Sequence, residues 1–173
     1  MRTDLDRPAP ADRQQTMTAI VQAEYGASPE SVLRLATSPL PALAEDEVLV
    51  RVRAASVDRG TWHLMAGLPY PIRLAGFGVR RPKHNPGRSF AGEIEAVGPQ
   101  AEGFSVGEEV FGVCNGSFAE YVRVSPAKLA PKPATLSFEQ AAAVPISGLT
   151  ALQAVRDHGR VTAGERVLIV TGG

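Results

Sequence analysis

The chain has 173 residues, 17 of them glycine and 14 proline, and its 18 lysines and arginines balance 18 aspartates and glutamates. That length buries a proper core and leaves room for one domain and part of a second. The zero formal charge excludes the basic footprint of a nucleic-acid or anionic-membrane binder and points to a small-molecule partner. A lone cysteine, Cys114, excludes an internal disulfide framework and a four-cysteine zinc lobe, and fits a reducing cytoplasm.

Residues 1–16 mix three arginines and three aspartates with two prolines and hold no apolar run, so they read as a disordered tail and not a signal peptide. No stretch approaches the roughly 20 apolar residues that a membrane helix needs. From Met17 onward, strand-like runs bounded by turn residues are predicted over 18–23, 32–35, 47–57, 89–97, 108–113 and 118–124. In the third, Val48, Val50, Val52 and Ala54 are expected on one face, with Arg51 and Arg53 on the other. Gly92, Gly98, Gly107, Gly112 and Gly116 interrupt or bound the later runs, as the bends and bulges of a small barrel require. Residues 68–88 form a long loop with apolar Ile72, Leu74 and Phe77 ahead of basic Arg80, Arg81, Lys83 and His84. A loop of that length is a lid over a cleft or a solvated surface.

Near residue 130 the texture changes. Ala130-Pro-Lys-Pro133 reads as a stiff link. Ser137-Phe-Glu-Gln140 matches a capping box, and the helix it opens runs through Ala141 to Val144, where Pro145 stops it. A second helix is predicted over 147–157, with Leu149, Leu152 and Val155 at helical spacing and Gly159 as a left-handed terminator. His158 sits at its C-terminal end, where the dipole favours it. An apolar strand, Val167–Val170, then leads to Gly172 and Gly173. Such glycines let a backbone approach a pyrophosphate ahead of a helix N-terminus.

The motifs in order are EVLVRVRAAS at 47–56, GRSFAGEIEAVG at 87–98, GEEVFG at 107–112, GSFAEY at 116–121, LSFEQAAAVP at 136–145 and GLTA at 148–151. This succession, from about Met17 to Gly173, resembles the medium-chain dehydrogenase/reductase superfamily, and within it the zinc-independent NADPH:quinone oxidoreductase-like branch. The resemblance implies a mainly β fold with some α: a GroES-like β-barrel catalytic domain over 17–130, then the opening helices and first strand of an incomplete α/β Rossmann domain over 131–173. The active site of such proteins lies in the cleft between the two.

Zinc-dependent relatives place a cysteine after the third strand and a Gly-His-Glu further on, because catalytic zinc takes S and N ligands and keeps one open position. The same landmarks put Asp58, Arg88 and Ser89 at those places here. An arginine repels a metal, and by spacing His63, His84 and His158 form no ligand cluster with Cys114, so no metal is expected. What remains is hydride transfer from NADPH to a quinone or an activated alkene or carbonyl.

The resemblance implies that Asp58, usually asparagine in the branch, lies near the nicotinamide ribose or substrate, with His63 where relatives place a cofactor-contacting tyrosine. A carboxylate accepts but does not donate unless protonated, and Asp58 alternatively pairs with Arg59 or Arg88. Trp62 either walls the substrate pocket beside Asp58 and His63 or packs in the core. Thr150 either contacts the cofactor or bonds back to its own helical turn. Gly172 and Gly173 complete the expected cofactor set. NADPH is expected to bind a complete protein and not this chain alone; a homodimer is expected only with a complete Rossmann domain. The competing function is a truncated, non-enzymatic GroES-like binding or assembly module.

Overall fold

A computed structural model of the chain describes residues 15–170. Most of the expected tail, and the expected cofactor glycines Gly172 and Gly173, lie outside the described residues; Thr16 already belongs to the first strand.

Two antiparallel ladders organise the chain. Strands β1 (Thr16–Gln22) and β2 (Leu33–Pro39) form a hairpin, with the short helix α1 (Pro29–Val32) in its connection. The second sheet has the order β6-β3-β4-β5-β7, built from β3 (Val48–Ser56), β4 (Ser89–Val97), β5 (Glu109–Val113), β6 (Tyr121–Val124) and β7 (Leu129–Pro131). The hairpin joins this sheet through residues just ahead of β6: Ile20 donates its N–H to the Phe118 carbonyl at 2.8 Å, and Glu120 donates to Thr18 at 3.0 Å. The backbone thus curls toward a barrel, as the glycine-punctuated sequence implied.

The core lies on one face of the larger sheet. Val48, Val50, Phe90, Ile94, Val110, Cys114, Val122 and Val124 pack together there. The opposite face carries Ala91, Ala54 and Phe111, which pack against Ala141 and Ala142 of helix α3 (Phe138–Ala143). Helix α3 begins with the expected capping box: the Ser137 hydroxyl accepts from the Gln140 N–H at 3.2 Å, and the Ser137 N–H donates to Gln140 Oε1 at 3.0 Å.

Ala54 is therefore not on the face of Val48 and Val50. The register passes from Val52 opposite Gly92 to Ala54 opposite Ala91, which makes Arg53 an extra residue on β3. A β-bulge of this kind turns the following side chains over, and simple alternation does not foresee it. Gly92 serves the same crossing. A Cβ on Gly92 would run into the Arg51 carbonyl oxygen and meet Val50 Cγ1 at 2.9 Å.

Three other segments differ from expectation. The link at 130–133 begins inside β7, whose Pro131 pairs with Val110 on an edge strand, where a missing N–H is tolerated. Helix α4 (Ser147–Leu152) widens over Gln153–His158, so its end shifts by one residue. Gly159 keeps a helical φ of −71°, and Arg160 takes the positive φ of 49° in its place. Val167–Val170 enters no strand ladder among the described residues, and its side chains are 52–87% exposed, because a strand apolar on both faces needs neighbours that this region does not offer it. No helix among the described residues is long and apolar enough to cross a membrane.

Two outcomes follow from the packing. Gly92→Ala is expected to lower unfolding free energy by about 1–3 kcal/mol in urea titration, since the added methyl meets backbone that cannot yield cheaply. Burial pushes the Cys114 thiol up to about 12. The unfolded chain then releases this proton at lower pH than the folded one, so stability falls as pH rises between the two values. Relative to Cys114→Ala, the wild type is expected to lose about 1.4 kcal/mol per pH unit above about pH 9, measured by denaturant unfolding at stepped pH.

Candidate functional site

The end of the β3–β4 ladder sets the geometry. Ser56 pairs with Ser89, so the residues just beyond, Asp58 on one strand and Arg88 on the other, sit at the same end of the sheet. Chain direction then changes sharply, because Asp58 opens helix α2 (Arg59–Ala66).

Asp58 is the N-cap of that helix. Its Oδ1 accepts from the Thr61 N–H at 2.8 Å and from the Thr61 hydroxyl at 3.2 Å, while the Asp58 N–H donates to Thr61 Oγ1 at 3.2 Å. The helix ends at Gly67, which takes a left-handed φ of 65°. The alternative offered by the sequence, an ion pair with Arg59 or Arg88, does not form among the described residues. Arg59 lies over the Trp62 ring at 5.3 Å and Arg88 over the Phe77 ring at 5.4 Å. The sequence held a signal for this helix, an aspartate cap followed nine positions later by a terminating glycine, which the strand-based reading passed over.

Trp62 and His63 are half-buried neighbours on α2, ring centroids 5.2 Å apart in an edge-on arrangement. His63 Nδ1 lies 3.0 Å from the Leu68 carbonyl. A carbonyl only accepts, so this contact calls for a proton on Nδ1, the tautomer whose neutral ring has its lone pair on Nε2. Thr150 is on α4, exposed, with its hydroxyl donating to the Ile146 carbonyl at 2.7 Å. The structure thus brings Asp58, Trp62 and His63 onto one helix, and no hydrogen bond joins Thr150 to them.

The 68–88 segment is fastened in ways the sequence reading missed. Arg73 lies between two aromatic rings, 4.3 Å from the Tyr25 centroid and 4.8 Å from that of Tyr70, and its Nε donates to the Gly67 carbonyl at 2.9 Å. The Tyr25 hydroxyl donates to the carbonyls of Phe77 and Gly78. At the far end, the Asn85 amide bonds to Gly87, Gly116 and Phe118. Two polar atoms next along the chain, Arg88 Nε and Ser89 Oγ, are buried without a partner among the described residues.

The alcohol dehydrogenase GroES-like domain family matches residues 44–134. The chain belongs to that family. The quinone oxidoreductase of Mus musculus is 32% identical over 163 residues, covering 92% of this chain and 46% of that protein. Among solved structures, the quinone oxidoreductase from Coxiella burnetii aligns with a TM-score of 0.75 at 30% identity, over 87% of this chain and 47% of that one. The Escherichia coli quinone oxidoreductase complexed with NADPH aligns with a TM-score of 0.68 at 27% identity, over 82% of this chain and 41% of that one. The GroES-like chain therefore stands in the medium-chain dehydrogenase/reductase superfamily beside quinone oxidoreductases, and it spans about half the length of the relatives it matches.

In this GroES-like chain a catalytic zinc does not fit the donor set. Arg88 brings a fixed positive charge, Ser89 offers only a neutral hydroxyl, and Asp58 alone, with Oδ1 already engaged in its cap, does not make a ligand set. Among the described residues no three His, Cys, Asp or Glu side chains gather to hold a metal ion. The Cys114 thiol is buried and held protonated, the wrong form for a ligand.

The cap makes a specific demand on position 58. Asp58→Ala is expected to destabilise the fold by about 1 kcal/mol, whereas Asp58→Asn, which caps equally well, stays within about 0.5 kcal/mol of wild type. Urea unfolding followed by circular dichroism distinguishes the two.

Proposed function

We propose that this chain is the N-terminal portion of an NADPH-dependent, zinc-independent oxidoreductase that transfers hydride to a quinone or to an activated alkene or carbonyl. The observation that carries the reading is the substitution of Asp58, Arg88 and Ser89 for a metal-ligand set, in a fold whose similar proteins include quinone oxidoreductases. The nicotinamide cofactor supplies the hydride when bound. The protein's part is to bind, orient and exclude water.

On this reading α2 faces the nicotinamide end. His63 offers its Nε2 lone pair to a ribose hydroxyl, and Trp62, stiffened by Arg59, walls off solvent. The half-buried Asp58 carboxylate keeps accepting capacity beyond its cap bonds. Thr150 carries a hydroxyl whose lone pairs stay available while its proton is given to Ile146. Gly172 and Gly173 are assigned to the pyrophosphate approach. Arg88, whose backbone shares this end of the sheet, is assigned the fixed positive charge for the acceptor oxygen on which negative charge develops as hydride arrives.

The reading is tested by metal and cofactor requirements. The chain is expected to carry no stoichiometric zinc after dialysis, by elemental analysis. In a longer protein that includes a full Rossmann domain, NADPH oxidation with a benzoquinone, followed at 340 nm, is expected to survive EDTA and to be preserved or raised by Asp58→Asn. Abolition by EDTA, or loss of more than about tenfold in kcat/KM for Asp58→Asn, about 1.4 kcal/mol of transition-state stabilisation, overturns it. For the chain by itself, titration calorimetry is expected to show no NADPH binding near about 1 μM.

A further inference from the structure

A second cleft lies on another part of the molecule. It measures about 810 Å³ and runs between β1 and β6, within the roughly 300–1,000 Å³ typical of small-molecule sites. None of Asp58, Trp62, His63 or Thr150 lines it.

Its charge is one-sided. Lys83 and His84 reach it from the end of the 68–88 segment, Arg123 from β6, and Lys128 from the helical turn before β7. Among the described residues Glu47 is the one carboxylate in the lining, and it is ion-paired with Arg123 at 3.5 Å, an arginine that also donates to the Ala42 carbonyl at 3.2 Å. Among the described residues no further carboxylate in the lining balances Lys83, Lys128 and the His84 ring. The crowding is felt at His84, which burial and the positive charges of Lys83 and Arg123 hold below its usual range. Like charges gathered around a concavity repel one another, and an anion placed among them relieves that repulsion. Other parts of the lining are of another character, with Met17 and Val21 on one face of β1 and Tyr121 of β6 offering aliphatic and ring surface.

We infer that this cleft binds a small organic phosphate, with the phosphate among Lys83, His84 and Lys128 and the organic body against Met17, Val21 and Tyr121. A phosphate suits the place because its doubly charged form and several acceptor oxygens match cations that approach from separate chain segments. The assignment does not depend on the oxidoreductase reading, since it uses neither the residues nor the cofactor of that site.

The test uses the chain as it stands. His84, one of three histidines, is followed by proton NMR across pH with phenyl phosphate, inorganic phosphate, or sodium chloride at matched ionic strength. Phenyl phosphate is expected to saturate below about 1 mM and to raise the His84 pKa, because a bound anion favours the charged ring; His158 stays where it was. Lys83→Gln with Lys128→Gln, both at exposed positions, is expected to weaken binding at least about tenfold. Arg34→Gln, exposed and outside the cleft, leaves it unchanged. Equal affinity for inorganic phosphate overturns the contact with an organic body and reassigns the site to the free ion. A shift reproduced by sodium chloride, or undiminished in the double variant, overturns the site itself.

Discussion

The close approach of Gly92 to the Arg51 carbonyl is the contact on which the rest of the structure turns. It lets β3 and β4 cross tightly beside the bulge at Arg53, and the bulge turns the second half of β3 over. The first half then feeds the valine-rich core with Val48 and Val50, and the second presents Ala54 to helix α3. One strand thus serves two layers. A side chain at position 92 forces the strands apart, and both the helix contact and the Ser56–Ser89 pairing depend on their staying together.

That pairing places two opposite charges, Asp58 and Arg88, at one end of the sheet, yet they do not neutralise each other. The carboxylate gains more from the first turn of α2, where it satisfies a helix N–H that otherwise has no partner. The guanidinium rests on Phe77 with its Nε unpaired. The outcome is a fixed cation and a carboxylate that are not spent on each other. Under the proposed chemistry this separation stands in for a metal: a Lewis acid would polarise the acceptor oxygen, and without one the task falls to charges already held in position.

The legible parts of this fold were those written in short-range chemistry. Ser137 and Gln140 announced α3 because both halves of a capping box are side chains at fixed spacing. The runs of β3 to β5 were legible because alternation and bounding glycines are local. The bulge at Arg53 was not, since Val52, Arg53 and Ala54 continue an unbroken alternation and only the partner strand reveals the extra residue. Nor was the Arg73 sandwich, whose rings come from residues 25 and 70 and meet only in the fold. The basic cleft is of the same kind: Lys83, Arg123 and Lys128 are far enough apart in sequence to look like ordinary surface charges. For Asp58 the sequence carried the family position but not the local task, because a cap and a ligand contact require the same side chain.

The C-terminal third divides by packing. In α3, Ala141 and Ala142 are 0% and 1% exposed against the sheet, so this helix is energetically part of the β layer even though it follows the prolines at 131 and 133. Past Pro145 the contacts cease: α4 buries no residue among those described, and Leu149, Leu152 and Val155 are 41–51% exposed. These three share one helical stripe, and the 167–170 run is apolar on both faces. Apolar area of this kind stands in water at a cost in free energy. The switch from alanines seated in a core to leucines and valines facing outward therefore falls at Pro145, where the backbone has already lost a helical N–H.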